Sequence, residues 1–233
     1  MKPVGLLSDF VNLIYPNCCE VCGTPLGLRE RVMCSGCRYK LPRTGYWSQK
    51  ENPVAQIFWG RVPVETACAL FFMSKGSPYR KLLHKLKYAN KPHIGVTLGQ
   101  LLGNELDKAA AYSDVELIVP VPLHPKRERK RGYNQSEKIA AGIGMATGKP
   151  VRTDVIFRRQ YNETQTKKTR EERWSNVAEI FAVHPHAAAL IAGKHILLVD
   201  DVLTTGSTVE ACAATMLNAA ACRVSVVTVA VAK

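Results

Sequence analysis

The sequence predicts an α/β fold, a parallel sheet flanked by helices, preceded by a small N-terminal segment that a metal organises. From about residue 62, short apolar runs alternate with helical patterns, the order that builds parallel sheets. Cys19-x-x-Cys22 and Cys34-x-x-Cys37 fall in a stretch with too little apolar material for a core of its own. A length of 233 residues allows one full core plus that appendage. The expected division is residues 1–60 for an amphipathic helix, a zinc-ribbon-like segment and a linker, and residues 61–233 for the α/β domain.

Leu6, Leu7, Phe10, Leu13 and Ile14 recur at helical spacing ahead of Tyr15-Pro16, so a short amphipathic helix is expected there. Each CxxC pair forms a knuckle that offers two thiolates to one tetrahedral ion. Four thiolates close the shell, which makes the expected Zn²⁺ structural rather than catalytic. Cys18 is one place out of register, either a buried thiol or an alternate ligand, while Cys68, Cys212 and Cys222 read as core thiols. Residues 45–60 read as a linker, with Trp47, Phe58 and Trp59 packing back on a neighbour. Residues 64–73 then read as a strand, 78–89 and 97–110 as helices, 115–121 as a strand and 135–147 as a helix. Residues 195–199 read as a buried strand, 207–220 as a helix and 223–231 as a last strand. Ligands in such sheets sit beyond the carboxyl ends of the strands, so chemistry is expected after Val121 and after Val199.

Composition narrows the partners. With 46% hydrophobic and 22% charged residues the chain is an ordinary globular one, which excludes a disordered polymer or a fibre. A formal charge of +13 favours anionic partners such as nucleic acid or phosphorylated metabolites. The longest apolar runs, residues 67–73 and 224–232, fall well short of the roughly 20 residues that a bilayer span requires. No small-residue cleavage site follows the first sixteen residues, so a cytoplasmic protein is expected. A Walker phosphate loop is absent and Gly142-Ile143-Gly144 is a lone fragment inside a helix, which supports neither a kinase nor a dinucleotide-binding dehydrogenase.

The most informative segment is Ile196-Leu197-Leu198-Val199-Asp200-Asp201-Val202-Leu203-Thr204-Thr205-Gly206-Ser207-Thr208. An apolar strand delivers two carboxylates to its exit, and a turn of small hydroxyl residues around a glycine opens the next helix. The first amides of that helix lack partners and the helix dipole is positive there, so a phosphate is held by the amides and by the hydroxyls of Thr204, Thr205, Ser207 and Thr208. Gly206 lets the backbone close around it. Like charge keeps Asp200 and Asp201 off the phosphate, but both can accept hydrogen bonds from neighbouring sugar hydroxyls. Ribose 5-phosphate fits.

This string resembles the phosphoribosyl pyrophosphate (PRPP) signature of type I phosphoribosyltransferases. The resemblance implies that Asp200 and Asp201 bind the ribose 2′ and 3′ hydroxyls, that residues 204–208 cradle the 5′ phosphate, and that Mg²⁺ bridges ribose and pyrophosphate oxygens. Residues 126–131 carry five bases and one acid directly after the strand exit at Val121 to His124. That run reads as a basic loop converging on the pyrophosphate, with Arg131 and Asn134 in direct contact and Lys126, Arg127, Arg129 and Lys130 shared between ligand and polymer. His124 is the one histidine placed for a role, the others reading as surface or capping residues. Residues 158–176 are polar and basic, either a solvated helix or a lid of the kind that closes over PRPP in type I phosphoribosyltransferases.

Taken in chain order, the CxxC pairs, Leu86-Lys87-Tyr88, Val121-Pro122-Leu123-His124 with Arg131-Gly132-Tyr133-Asn134-Gln135, Gln165-Thr166-Lys167-Lys168-Thr169-Arg170 with Asn176, and the PRPP string resemble the ComF family. That resemblance implies a zinc-ribbon-like N-terminus on a type I phosphoribosyltransferase-like domain, and an association with natural competence, DNA uptake and recombination. Two readings follow. In one, the pocket binds PRPP or a related phosphoribosyl ligand while basic surfaces contact single-stranded DNA, alongside other competence or recombination proteins. In the other, the protein is an active phosphoribosyltransferase that moves ribose 5-phosphate to a nitrogen acceptor in nucleotide metabolism. For the first, residues 75–91 hold six bases and no acid, with Lys85, Lys87 and Tyr88 as candidate nucleic-acid contacts and Tyr79 as a second stacking platform. The same segment also reads as a solvated amphipathic helix whose Leu82, Leu83 and Leu86 face the core. No acceptor-binding residue stands out, and the oligomeric state is left open, with a homodimer among the options.

Overall fold

The structure is a computed structural model that describes residues 16–159 and 180–233. The helix expected near residues 6–14 and nearly all of the candidate lid lie outside the described residues. Among those described, the strands in chain order are β1 (Ala67–Met73), β2 (Leu117–Pro120), β3 (Ile156–Arg158), β4 (Phe181–Val183), β5 (His195–Leu203) and β6 (Arg223–Ala232). The helices are α1 (Ser35–Tyr39), α2 (Pro53–Gln56), α3 (Arg80–Tyr88), α4 (Pro92–Leu106), α5 (Pro125–Arg131), α6 (Gln135–Thr147), α7 (Ala187–Ile191) and α8 (Ser207–Ala219).

The main sheet is parallel throughout, in the order β1-β6-β5-β2. Alternation along β5 divides the core between its two faces, as strand geometry requires. Leu197 and Val199 pack with α3, α4 and α6, whereas Ile196 and Leu198 pack with α7 and α8. The chain leaving β5 turns back to β6, while the chain leaving β2 returns as Val151 on the opposite side, bridged to Ile118. Connections that diverge in this way open a crevice between the carboxyl ends of β2 and β5, where ligands bind in open α/β sheets. The free edge of β1 is covered by residues 42–44, through Thr44 N donating to Leu70 O and Phe72 N donating to Pro42 O.

Helices α4 and α6 cross at contact distance because each presents glycine to the other. A methyl group on Gly99 would stand 2.1 Å from Ile139 O, and one on Gly142 would stand 2.1 Å from Val96 O. Gly142 of the fragment read as isolated therefore serves helix packing, while Gly144 makes room for Val151. Helix α4 also begins earlier than expected, with Pro92 in its first turn, because proline lacks the amide that a first turn leaves unpaired.

Other expectations are corrected by packing. The basic run at 126–131 is a helix, not a loop. His124 Nδ1 accepts from Lys126 N, Pro125 sets the first turn, and Gly132 ends it at φ 80°. The last functional strand does not stop at Val199, since Asp200 pairs with Thr228 and the ladder continues to Leu203. Where the polar, basic segment read at 158–176 begins, the chain is in a strand, β3, which pairs antiparallel with β4. Phe58 is fully buried and Trp47 packs on the core, but Trp59 is 58% exposed. His195 is not a surface residue: it is buried, its Nδ1 bonded to Asp114 Oδ1 at 2.7 Å and its Nε2 to Ser225 Oγ at 2.8 Å. Cys18 is exposed rather than buried. No helix among the described residues is long and apolar enough to cross a membrane.

Candidate functional site

The acid pair stands on the β5 side of the crevice. Asp200 Oδ1 accepts from Ser136 Oγ, at the start of α6, and from the amide of Asp201. Burial, reinforced by the neighbouring Asp201 charge, pushes the Asp200 carboxyl up to about 7. Lys87 on α3 grips both oxygens of Asp201, at 3.0 Å to Oδ1 and 2.9 Å to Oδ2.

Five residues downstream of that pair the chain reaches the anion cradle. Gly206, at φ 80°, precedes α8 without supplying a side-chain cap, and its own carbonyl first accepts from Glu210 N. The amides of the first helical turn therefore point out of the helix, next to the exposed hydroxyls of Thr204, Thr205, Ser207 and Thr208. A side chain at Gly206 would meet Ile57 Cγ2 at 3.1 Å and Phe58 Cε1 at 3.2 Å, so the turn is pressed onto the core from below. Arg61, which sequence reasoning passed over, fastens the turn from the side. Its guanidinium donates to Thr205 O at 2.8 Å and pairs with Glu210. An isolated arginine in a linker carries no pattern that could have singled it out.

Across the crevice α5 supplies cations. A cleft of about 450 Å³ is lined by Lys87, Tyr88, Asn90, Arg127, Lys130 and Arg131, four cations and no carboxylate among its described residues. Arg131 lies 5.3 Å over the Tyr88 ring and donates to Gln135 Oε1 at 2.6 Å. Asn134 is placed differently from the direct contact expected of it. It is buried, its Oδ1 accepts from Ser136 N and its Nδ2 donates to Val121 O, so it joins the β2 exit to α6. His124 is held below its ordinary value by burial and the surrounding Arg158, Lys126 and Arg127, which keeps Nδ1 an acceptor for Lys126 N.

The cysteines predicted to act together do meet. The sulfurs of Cys19, Cys22, Cys34 and Cys37 all lie within 4.8 Å of one another, and Cys22 and Cys34 are 3.8 Å apart. Tetrahedral binding at about 2.3 Å per thiolate sets sulfurs about 3.8 Å apart, so the cluster can hold one metal ion such as zinc. Val21, Val32, Met33 and Leu41 seat this segment on the α3–α4 side of the core, and Tyr79 Oη donates to Cys37 O.

The basic face expected on residues 75–91 divides. Lys85 and Lys91 both bond Glu20, Lys87 belongs to the crevice through Asp201, and Tyr79 is buried. Tyr88 is 65% exposed, and Arg80, Lys81, Lys126, Arg127, Arg129 and Lys130 are exposed as well. Leu82, Leu83 and Leu86 face the core.

The phosphoribosyl transferase domain family matches residues 130–233. Over 92% of its length the chain is 30% identical to the DNA utilization protein YhgH of Salmonella typhimurium, covering 96% of that protein. It is also 26% identical to competence protein F of Haemophilus influenzae, covering 82% of this chain and 87% of that one. The chain belongs to the ComF family. Competence protein ComFC of Bacillus subtilis is similar to this ComF chain over a shorter span, 33% identical across 44% of it and 38% of the relative. Among solved structures, the glutamine PRPP amidotransferase of B. subtilis is similar at a TM-score of 0.43 and 20% identity, over 62% of this chain and 30% of that one. The fold of this chain is mixed α/β, with a four-stranded parallel sheet and an N-terminal cysteine cluster.

Proposed function

We propose that this ComF-family protein binds PRPP or a related phosphoribosyl ligand in the β2–β5 crevice and acts in DNA uptake and use, contacting single-stranded DNA on basic surface outside it. One observation carries the ligand: Lys87 bonds Asp201 of the acid pair and also lines a cleft with Arg127, Lys130 and Arg131, while the open N-terminus of α8 begins a few residues after that pair. A phosphoribosyl ligand has the matching order of parts. Its 5′ phosphate meets the amides and hydroxyls of residues 204–208, its diol meets Asp201 and Asp200, and its pyrophosphate meets Arg127, Lys130 and Arg131. Mg²⁺, when bound, neutralises pyrophosphate charge, and zinc in the four-cysteine cluster is structural.

The DNA role is supported by what the relatives are called, a DNA utilization protein and competence proteins. It is supported also by exposed charge outside the crevice. Arg80 and Lys81 are exposed on α3, Arg129 is exposed on α5, and Tyr39, 90% exposed between Arg38 and Lys40, supplies an aromatic ring. Cations that track phosphates, with aromatic rings between them, are what single strands bind. The test is calorimetry with PRPP and Mg²⁺ together with a mobility-shift titration against single-stranded DNA. Saturable binding of both supports the reading, and binding of neither overturns it.

A further inference from the structure

Among the described residues, Lys87 is the one side chain shared by the acid pair and the cationic cleft. Its backbone is fixed: α3 buries Leu82, Leu83 and Leu86, and Tyr133 Oη donates to Leu86 O at 2.5 Å. Its side chain is not fixed to the same degree, being 26% exposed against 13% for Asp201. In the crevice as it stands, the ammonium bonds both oxygens of Asp201, the acceptors that ribose hydroxyls need. The same residue lines the cleft with Arg127, Lys130 and Arg131.

We propose that Lys87 is an exchange residue: it pairs with Asp201 and, when a ribose diol takes that carboxylate, swings into the cleft and binds the pyrophosphate group. The inference rests on the phosphoribosyl reading given above and adds a source of ligand selectivity to it. Two adjacent carboxylates without a nearby cation repel each other, and burial sharpens the repulsion, so Lys87 is held on Asp201. A diol offers two neutral donors to the same carboxylate and releases the ammonium. A free ammonium in a low-dielectric crevice then needs an anion, and pyrophosphate supplies one on the other side of the lysine stem. Ribose 5-phosphate does not, because its only anionic group sits at the far end, on α8. Displacing Lys87 therefore opposes ribose 5-phosphate and is recovered by PRPP.

Binding of the full chain to PRPP with Mg²⁺ and to ribose 5-phosphate, measured by calorimetry for the wild type, Lys87→Gln and Lys87→Arg, decides the matter. In Lys87→Gln, PRPP should bind about tenfold or more weakly, while ribose 5-phosphate binds as well as to the wild type or better. Lys87→Arg, which keeps a cation able to serve both anions, should retain most of the PRPP affinity. Equal losses for both ligands in Lys87→Gln would show that Lys87 only props Asp201, overturning the exchange while leaving the phosphoribosyl site standing. A wild-type chain that binds neither ligand overturns the site and the exchange together, and an unaltered PRPP affinity in Lys87→Gln overturns the exchange alone.

Discussion

Ser136 Oγ lies 2.9 Å from Asp200 Oδ1, and that bond ties the first turn of α6 to the functional end of β5. Asn134 sits two residues earlier and holds the β2 exit through Val121 O. One short segment thus sets the width of the crevice from both walls. Its partner carboxyl is buried and raised, so Asp200 is a hydrogen-bonded structural joint as well as a candidate ligand group.

This double role predicts opposite effects from one substitution. A carboxyl whose folded value is raised favours the folded chain fully below about pH 4, and that contribution is lost as pH climbs through about 7. Asn keeps an oxygen for the bonds from Ser136 and Asp201 and carries no charge. Asp200→Asn should therefore raise the melting temperature at pH 8 and change it little at pH 4. Paired with Asp201→Asn it should abolish PRPP binding, since each charge-assisted hydrogen bond lost is worth about 1.5–3 kcal/mol. Melting curves at the two pH values check the first claim and calorimetry the second.

The metal cluster predicts one tightly held zinc per chain. Structural zinc supplies on the order of 10–16 kcal/mol in comparable small sites. Cys19→Ser and Cys37→Ser should each lose the metal and loosen the contact between this segment and α3, where Tyr79 reaches Cys37 O. Elemental analysis of the purified protein, and a melting scan with and without a chelator, give the outcome. A metal-free protein with an unshifted transition contradicts the prediction.

Gly206 should tolerate no side chain. At φ 80° an alanine is strained by roughly 1–2 kcal/mol, and its methyl would press on Ile57 and Phe58. Gly206→Ala should lower the melting temperature by a few degrees and weaken ribose 5-phosphate binding, because the displaced turn carries the α8 amides away from the phosphate. Thr205→Val, which removes a hydroxyl without moving the turn, should weaken binding and leave melting unchanged.

What could be read in the sequence was local. An apolar run, an acid pair and a hydroxyl-glycine turn are contiguous, so a strand leading through a turn into a helix was legible there, though the strand runs on to Leu203, and the CxxC spacing brought its four sulfurs together. What could not be read was pairing across the fold. The six bases of residues 75–91 looked like one face, yet Glu20 and Asp201, 65 and 114 residues from their partners, claim Lys85 and Lys87. Gly142 read only as part of a lone glycine fragment inside a helix, and its purpose, like that of Gly99, exists only where α4 crosses α6.

That redistribution of charge moves the DNA prediction to residues the crevice does not use. Arg80 and Lys81 are exposed at the start of α3, and Lys81 stands six residues from Lys87, about 9 Å along the helix axis. If they carry single-stranded DNA, Arg80→Glu with Lys81→Glu should weaken DNA binding strongly and leave PRPP affinity unchanged, whereas Asp201→Asn should do the reverse. The wild-type log affinity should fall with log salt at about −0.7 per phosphate contact, and the double reversal should make that slope shallower by about one to two contacts. Replacing Tyr39 by Ala should lower affinity without changing the slope, because stacking releases no counterions. A slope and affinity indifferent to Arg80 and Lys81 would confine the contact to α5, and a strand displaced by PRPP itself would mean that DNA and ligand compete for one crevice.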